Sequence, residues 1–133
     1  MWIAAWAFPQ GFLALPFVSV LALPIVIAGV VICGWGVISF RRAHTTLNPR
    51  TPGSASALVV RGVYRVSRNP MYLGFLLLLI GWAVFLHNLL VFVAPIVFIA
   101  YMNRFQIRPE EQALSALFGH EYRAYADNVR RWL

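Results

Sequence analysis

The stretch NPMYLGFLLLLIGWAVFLHNLLVFVAPIVFIAYMN, residues 69–103, has His87 as its one side chain that titrates near neutral pH and carries no other charge. A transmembrane helix needs about 17–25 residues, so this stretch is too long for one span and about right for two short ones. Charged motifs bracket it. Arg68-Asn69-Pro70-Met71-Tyr72 stands at the front edge, and Arg108-Pro109-Glu110-Glu111 stands just past the far edge. A path out and back returns both motifs to the same membrane face. The spacing therefore predicts a polar site held against a lipid-facing helical hairpin.

Composition supports the membrane class. Of 133 residues, 61% are hydrophobic and 11% are charged, and the mean hydropathy is +0.73. These values lie far from those of a soluble domain, and the length allows one domain at most. The net charge is +7, and every basic residue is arginine. The arginines cluster at the ends of apolar runs, at Arg41-Arg42, Arg61, Arg65, Arg68, Arg104, Arg108 and Arg130-Arg131. That is the positive-inside pattern, and it excludes a basic nucleic-acid-binding face as the leading reading. Six arginines between residues 41 and 69 place that loop in the cytoplasm.

The predicted fold class is an all-α integral membrane protein with about four transmembrane helices, over about 2–19, 21–40, 70–86 and 89–107. The last two form a C-terminal hairpin, with a break at His87-Asn88. An amphipathic cytoplasmic helix follows over about 109–131, and residues 1–133 form a single domain. Residues 1–40 carry no charged side chain. They are read as two spans because Pro16 and Pro24 invite a break between them; one long helix after an interfacial segment is the other reading. Without a positive n-region, and with the apolar region running on to Phe40, this does not read as a signal peptide. Gly29, Gly34 and Gly36 are expected to let another helix approach closely. Asn48-Pro49 and Pro52-Gly53 read as turns in the loop. From Leu114 to Trp132 apolar residues recur at three- and four-residue spacing, with Gly119 as a possible interruption. Arg123, Arg130 and Arg131 suit the polar face of a helix lying on an anionic leaflet.

Two motifs carry the chemistry. Glu110-Glu111 follow Pro109 and fall in the first turn of a helix, where acids favour the positive end of the helix dipole. They are also two of only four acidic residues in the chain, and a carboxylate beside membrane helices is costly to desolvate without a compensating cation. Arg68-Asn69-Pro70-Met71-Tyr72 reads as a helix start, with Asn69 as cap and Pro70 in the first turn. It reads equally as an anion clamp, since Arg68 offers a planar fork and the helix start offers free N–H groups. Together the two ends provide an anion site, carboxylates for cations or ribose hydroxyls, and the aromatic faces of Tyr64, Tyr72 and Tyr122 for a ring or sulfonium. S-adenosylmethionine presents those groups, and a phosphoethanolamine headgroup would also satisfy an arginine with a carboxylate. Cys33 lies in an apolar run and reads as a small packed hydrophobe. His44, His87 and His120 are separated and, with one cysteine, make no metal site.

Gly62-Val-Tyr64-Arg-Val-Ser-Arg68-Asn69-Pro70-Met-Tyr72-Leu-Gly74, the hairpin, Glu110-Glu111-Gln-Ala-Leu114, Phe118-Gly119-His-Glu121-Tyr122, Tyr125 and Val129-Arg-Arg-Trp132 resemble the isoprenylcysteine carboxyl methyltransferase and phospholipid methyltransferase family. The resemblance covers about residues 30–133 and is similar to the small bacterial members, which implies a bacterial inner membrane with the active site on the cytoplasmic face. It implies an integral membrane enzyme that uses S-adenosyl-L-methionine and takes a lipid-borne acceptor from the membrane. The family's Arg-His-Pro-x-Tyr element falls on Arg68, Asn69, Pro70 and Tyr72, and its Glu-Glu element on Glu110 and Glu111. Arg68, Asn69, Pro70, Tyr72, Glu110, Glu111, Tyr64 and Tyr122 are thus the expected cofactor-binding residues, with Glu111 and Arg68 as catalytic candidates. Asn69 stands where the eukaryotic members carry His. Asn hydrogen-bonds but is no base near neutral pH.

Methyl transfer from a sulfonium to a carboxylate is an in-line displacement that positioning can accelerate without a strong base. An amine acceptor must lose a proton, for which Glu111 or His120 is available. The acceptor stays open among a prenylcysteine carboxylate, a phospholipid amine and a thiol. Two other classes compete: a non-catalytic protein binding anionic lipid or a partner, and a lipid-modifying reductase with a nicotinamide cofactor. No glycine-rich phosphate loop supports the last.

Overall fold

The computed structural model describes residues 1–7, 18–42 and 58–133. The expected turns at Asn48-Pro49 and Pro52-Gly53, His44, and most of the expected first span lie outside the described residues. Among the described residues the secondary structure is helical, without strands. Helix α1 covers Trp2–Ala7 and α2 covers Val18–Arg42. A 3-10 turn at Gly62–Arg65 leads to α3, Pro70–Phe85. A second 3-10 turn, Leu89–Phe92, leads to α4, Val93–Tyr101. A π-helical turn, Met102–Ile107, joins α4 to α5, Arg108–Asn128.

Two segments are long and apolar enough to cross a membrane, Val20–Arg42 and Leu89–Asn128. Between them α3 is a shorter apolar helix of 16 residues, about 24 Å at 1.5 Å per residue. Leu21, Leu23, Ile27, Val30 and Val31 of α2 are each more than half exposed, as expected of a surface solvated by lipid.

The helix expected over 21–40 begins at Val18 and passes through Pro24. Pro24 is the seventh residue of this helix, so its missing N–H leaves the Val20 carbonyl without the i→i−4 donor, a loss that membrane helices tolerate. The larger difference lies at the other end. The helices expected over 89–107 and 109–131 run on from one another, because the π turn carries α4 into α5 without interruption. Pro109 is accommodated in the first turn of α5, and Gly119 interrupts that helix with φ 50° and ψ −116°, where only glycine is free of Cβ strain.

Helices α2 and α3 run antiparallel along a seam of small residues. A Cβ added to Gly74 would stand 2.7 Å from the Gly29 carbonyl oxygen and 2.8 Å from Cys33 Cβ. One added to Gly81 would stand 2.6 Å from Val26 Cγ2, and one on Gly36 2.8 Å from Met71 Cγ. Such close backbone approach is how helices gain contact in lipid, where burial of apolar surface gives no advantage. Gly34 does not take part as expected, because its side faces open space.

The hairpin turn sits where the polar His87-Asn88 pair predicts it. His87 takes a positive φ of 53°. The fully buried Asn88 accepts from Leu90 N–H at 2.9 Å and donates to the Ala5 carbonyl at 3.4 Å. Helix α1 is thereby held against the turn, at the end of α3 remote from Arg68.

Filling the seam is expected to be costly. Gly74→Leu should destabilise the protein by about 1–3 kcal/mol through overpacking, whereas Gly34→Ala should stay within about 0.5 kcal/mol. Thermal unfolding of the two variants in detergent checks the difference; equal midpoints would refute the seam.

Candidate active site

The site forms where the segment before α3, the start of α5 and the C-terminal residues converge. Gly62 has φ +63°, and an added Cβ would lie 3.2 Å from both Trp35 Nε1 and Ser39 Oγ. That close passage along α2 leads to Val63 and Tyr64, both buried. The Tyr64 ring meets Phe40 edge-on at 5.3 Å, and its carbonyl accepts from the Tyr125 hydroxyl at 2.7 Å.

Ser67 is fully buried. Its hydroxyl accepts from the Asn69 N–H at 3.1 Å and donates to the Arg131 carbonyl at 3.5 Å. The Arg68 N–H donates to the Arg130 carbonyl at 3.0 Å, and Asn69 Nδ2 donates to the Arg131 carbonyl at 2.9 Å. Asn69 holds the cap position expected of it, but its side chain makes no cap bond. It is spent on the C-terminal segment, because that segment runs within reach of it. Pro70 is buried in the first turn of α3, as expected, and does not line the cavity.

The two adjacent carboxylates have different surroundings. Glu110 accepts from the Tyr72 hydroxyl at 3.1 Å, across the hairpin from α5 to α3. Burial, above all, raises the affinity of the Glu110 carboxyl for its proton; the Tyr72 bond opposes this and Glu111 adds to it. Glu111 lies between two guanidiniums. Arg131 grips it with two bonds, Nε to Oε1 at 3.0 Å and an Nη to Oε2 at 2.7 Å. Arg68 approaches Oε1 at 3.4 Å with one terminal nitrogen. Arg68 and Glu111 are 16% and 18% exposed, so the pair is mostly desolvated. The Nε of Arg68 is buried and lacks a hydrogen-bond partner among the described residues. Hydrogen bonding to Glu111 raises the Arg131 pKa above its ordinary value. Burial likewise raises the Tyr64 and Tyr122 phenols, so both stay protonated.

These groups surround a cavity of about 90 Å³. Of the residues singled out from sequence, Tyr64, Arg68, Asn69, Tyr72, Glu110, Glu111 and Tyr122 line it. Phe40, Leu58, Val59, Met71, Leu114 and Tyr125 complete the wall. An open cleft of about 580 Å³ adjoins the cavity and shares Arg68, Glu111 and Tyr122 with it. His120 is exposed and lines neither space. No cluster of potential metal ligands occurs among the described residues.

Arg131 is the residue that sequence reasoning missed. It reads as one more cation on a polar helix face, but α5 ends at Asn128 and the chain beyond is extended at Val129. Its partner lies 20 positions away, with no local signal. The one hint was that a buried glutamate needs a cation and that few segments could supply one.

Comparison with known proteins adds the following. The family model described as phospholipid methyltransferase matches residues 17–121. An uncharacterised protein of Haemophilus influenzae is 49% identical over 63 residues, covering 47% of this chain and all of that protein. A probable protein-S-isoprenylcysteine O-methyltransferase of Oryza sativa subsp. indica is 36% identical over 120 residues, 88% of this chain and 61% of that protein. Protein-S-isoprenylcysteine O-methyltransferase A of Arabidopsis thaliana is 34% identical over 116 residues, 85% of this chain and 57% of its own length. The chain thus spans about three-fifths of the length of these plant relatives. No solved structure matches.

The Tyr72–Glu110 bond predicts a titration shift. It favours the charged carboxylate, so Tyr72→Phe should move the Glu110 midpoint further upward. Carbon-13 NMR of labelled glutamate, with Glu110→Gln to assign the signal, reads the midpoint. An unchanged or lower midpoint would show that the bond does not form.

Proposed function

Because the chain belongs to the phospholipid methyltransferase family, we propose that it is an integral membrane S-adenosylmethionine-dependent methyltransferase. Its acceptor is lipophilic, as in isoprenylcysteine carboxyl O-methylation. The observation that carries this reading is the meeting of Arg68, whose buried Nε has no partner among the described residues, and the Tyr72–Glu110 pair around one cavity. An orphaned buried donor favours an anionic ligand, and a carboxylate that pairs with no arginine among the described residues favours a cationic one. Amino acid and sulfonium groups supply both.

In this reading Arg68 holds the cofactor's carboxylate, with Asn69, tied to the Arg131 carbonyl, and Pro70, at the start of the helix, fixing the cofactor-binding wall beneath it. Glu110 and Tyr72 face its ammonium, Glu111 and Tyr122 its ribose side, and Tyr64 a ring face. The enclosed cavity is small for the whole molecule, and the adjoining cleft gives room for the remainder. When bound, the cofactor supplies an electrophilic methyl group. The protein residues orient it, exclude water and bring the acceptor in line. Arg68 and Glu111 are the candidates for orienting the acceptor. The six arginines of residues 41–69 support a site on the cytoplasmic face, in a bacterial-type inner membrane.

An amine acceptor, as in phospholipid N-methylation, is the second reading. Glu110 favours it, since a buried carboxyl with a raised proton affinity is suited to take the proton that an amine must lose.

Calorimetric titration with S-adenosylhomocysteine tests the cofactor. The wild-type protein should bind it, and the Glu110→Gln/Glu111→Gln double variant should bind at least about tenfold more weakly, the loss expected for one charged hydrogen bond. Absent binding, or equal binding by the double variant, would count against this site. Incubation with labelled S-adenosylmethionine and host membranes then separates the acceptors. Base-labile label in the lipid-soluble fraction indicates an ester, and base-stable label an amine or thioether.

A further inference from the structure

The segment after α5 is tied back to the site at several points. Its backbone carbonyls at Arg130 and Arg131 take the N–H of Arg68 and the amide of Asn69. The Trp132 indole donates to Asn103 Oδ1 at 3.1 Å, which pins the segment to the π turn. Between these anchors the Arg131 side chain reaches Glu111 with both of its forked donors.

We propose that Arg131 is a positioning residue that occupies Glu111 and so keeps the donor edge of Arg68 available to the cavity. The proposal rests on the cofactor reading above. Two guanidiniums approach one carboxylate unequally. Arg131 holds it bidentately, and Arg68 touches only its Oε1, at 3.4 Å, with an Nε that has no partner among the described residues. A planar fork and a carboxylate prefer the two-bond arrangement. Without Arg131, Glu111 is free to form that arrangement with Arg68. The Arg68 donors would then turn from the cavity onto Glu111, and the anion site would be lost although every residue lining the cavity remained. Arg131 itself does not line the cavity, so its effect on a ligand passes through Glu111 and Arg68.

The test compares two ligands that differ in their amino acid group. S-adenosylhomocysteine carries the carboxylate that Arg68 would hold; 5′-methylthioadenosine keeps the nucleoside and sulfur but has no carboxylate. Arg131→Ala should weaken S-adenosylhomocysteine about ten- to hundredfold, the range of a charge-assisted hydrogen bond. It should leave methylthioadenosine within about threefold, since that ligand does not use Arg68. Arg131→Lys keeps the charge without the fork, and should show the same selectivity with a smaller loss. It also serves as the readout if the alanine variant does not fold.

Equal weakening of both ligands would reduce Arg131 to a structural role and overturn the proposal. So would unchanged affinity for both. Wild-type protein that binds neither ligand would overturn the cofactor reading itself, and the proposal with it. The two failures are therefore distinguishable by the wild-type titration alone.

Discussion

A charge close to lipid must find a countercharge within the protein, and Glu111 is where this chain meets that demand. Its carboxylate is mostly buried and joins residues 68, 111 and 131, three segments that would otherwise have little reason to converge. Removing one member of such a buried cluster leaves the others desolvated and uncompensated. The cluster thus ties together the segment after α5, the segment before α3 and the face of α5 that carries Glu111.

The helices supply the frame on which this cluster is mounted. The glycine seam brings α3 against α2, and the hairpin returns the chain so that α5 begins beside the start of α3. The π turn then adjusts the phase. A π turn accommodates one residue more than an α turn, so side chains beyond it are rotated relative to a regular continuation of α4. Ile107, its last residue, is fully buried. Glu110 then points at Tyr72 and Glu111 at Arg68, two neighbours on one helix with two different partners.

Much of this was legible from particular residues. Uncharged residues 69–103 with a polar pair at 87–88 read as two helices and a turn, and the Tyr72–Glu110 bond shows their two ends brought together. Pro70 marks a helix start wherever it falls after a polar residue. Arg131 was not legible, because it pairs across a change from helix to extended chain that periodicity extrapolates past. Gly34 differs for a simpler reason: Gly29 and Gly36, seven positions apart, share the face that meets α3, whereas Gly34 falls off that face. The π turn has no sequence signal at all, since Met102–Ile107 is compatible with an ordinary helix. Local patterns identified the elements and the lips of the site; the long-range pairings came from tertiary geometry.

The short α3 has a consequence for where chemistry can take place. At about 24 Å it falls short of a hydrocarbon layer of about 30 Å. A bilayer accommodates such a mismatch by thinning around the protein, or the polar ends of the helix are drawn below the headgroup level. In the membrane methyltransferase reading proposed above, either adjustment would bring the Tyr72–Glu110 end of the hairpin down to the depth at which acyl and prenyl chains begin. A molecule anchored in the leaflet would then reach the cavity by lateral diffusion, without lifting its tail into water.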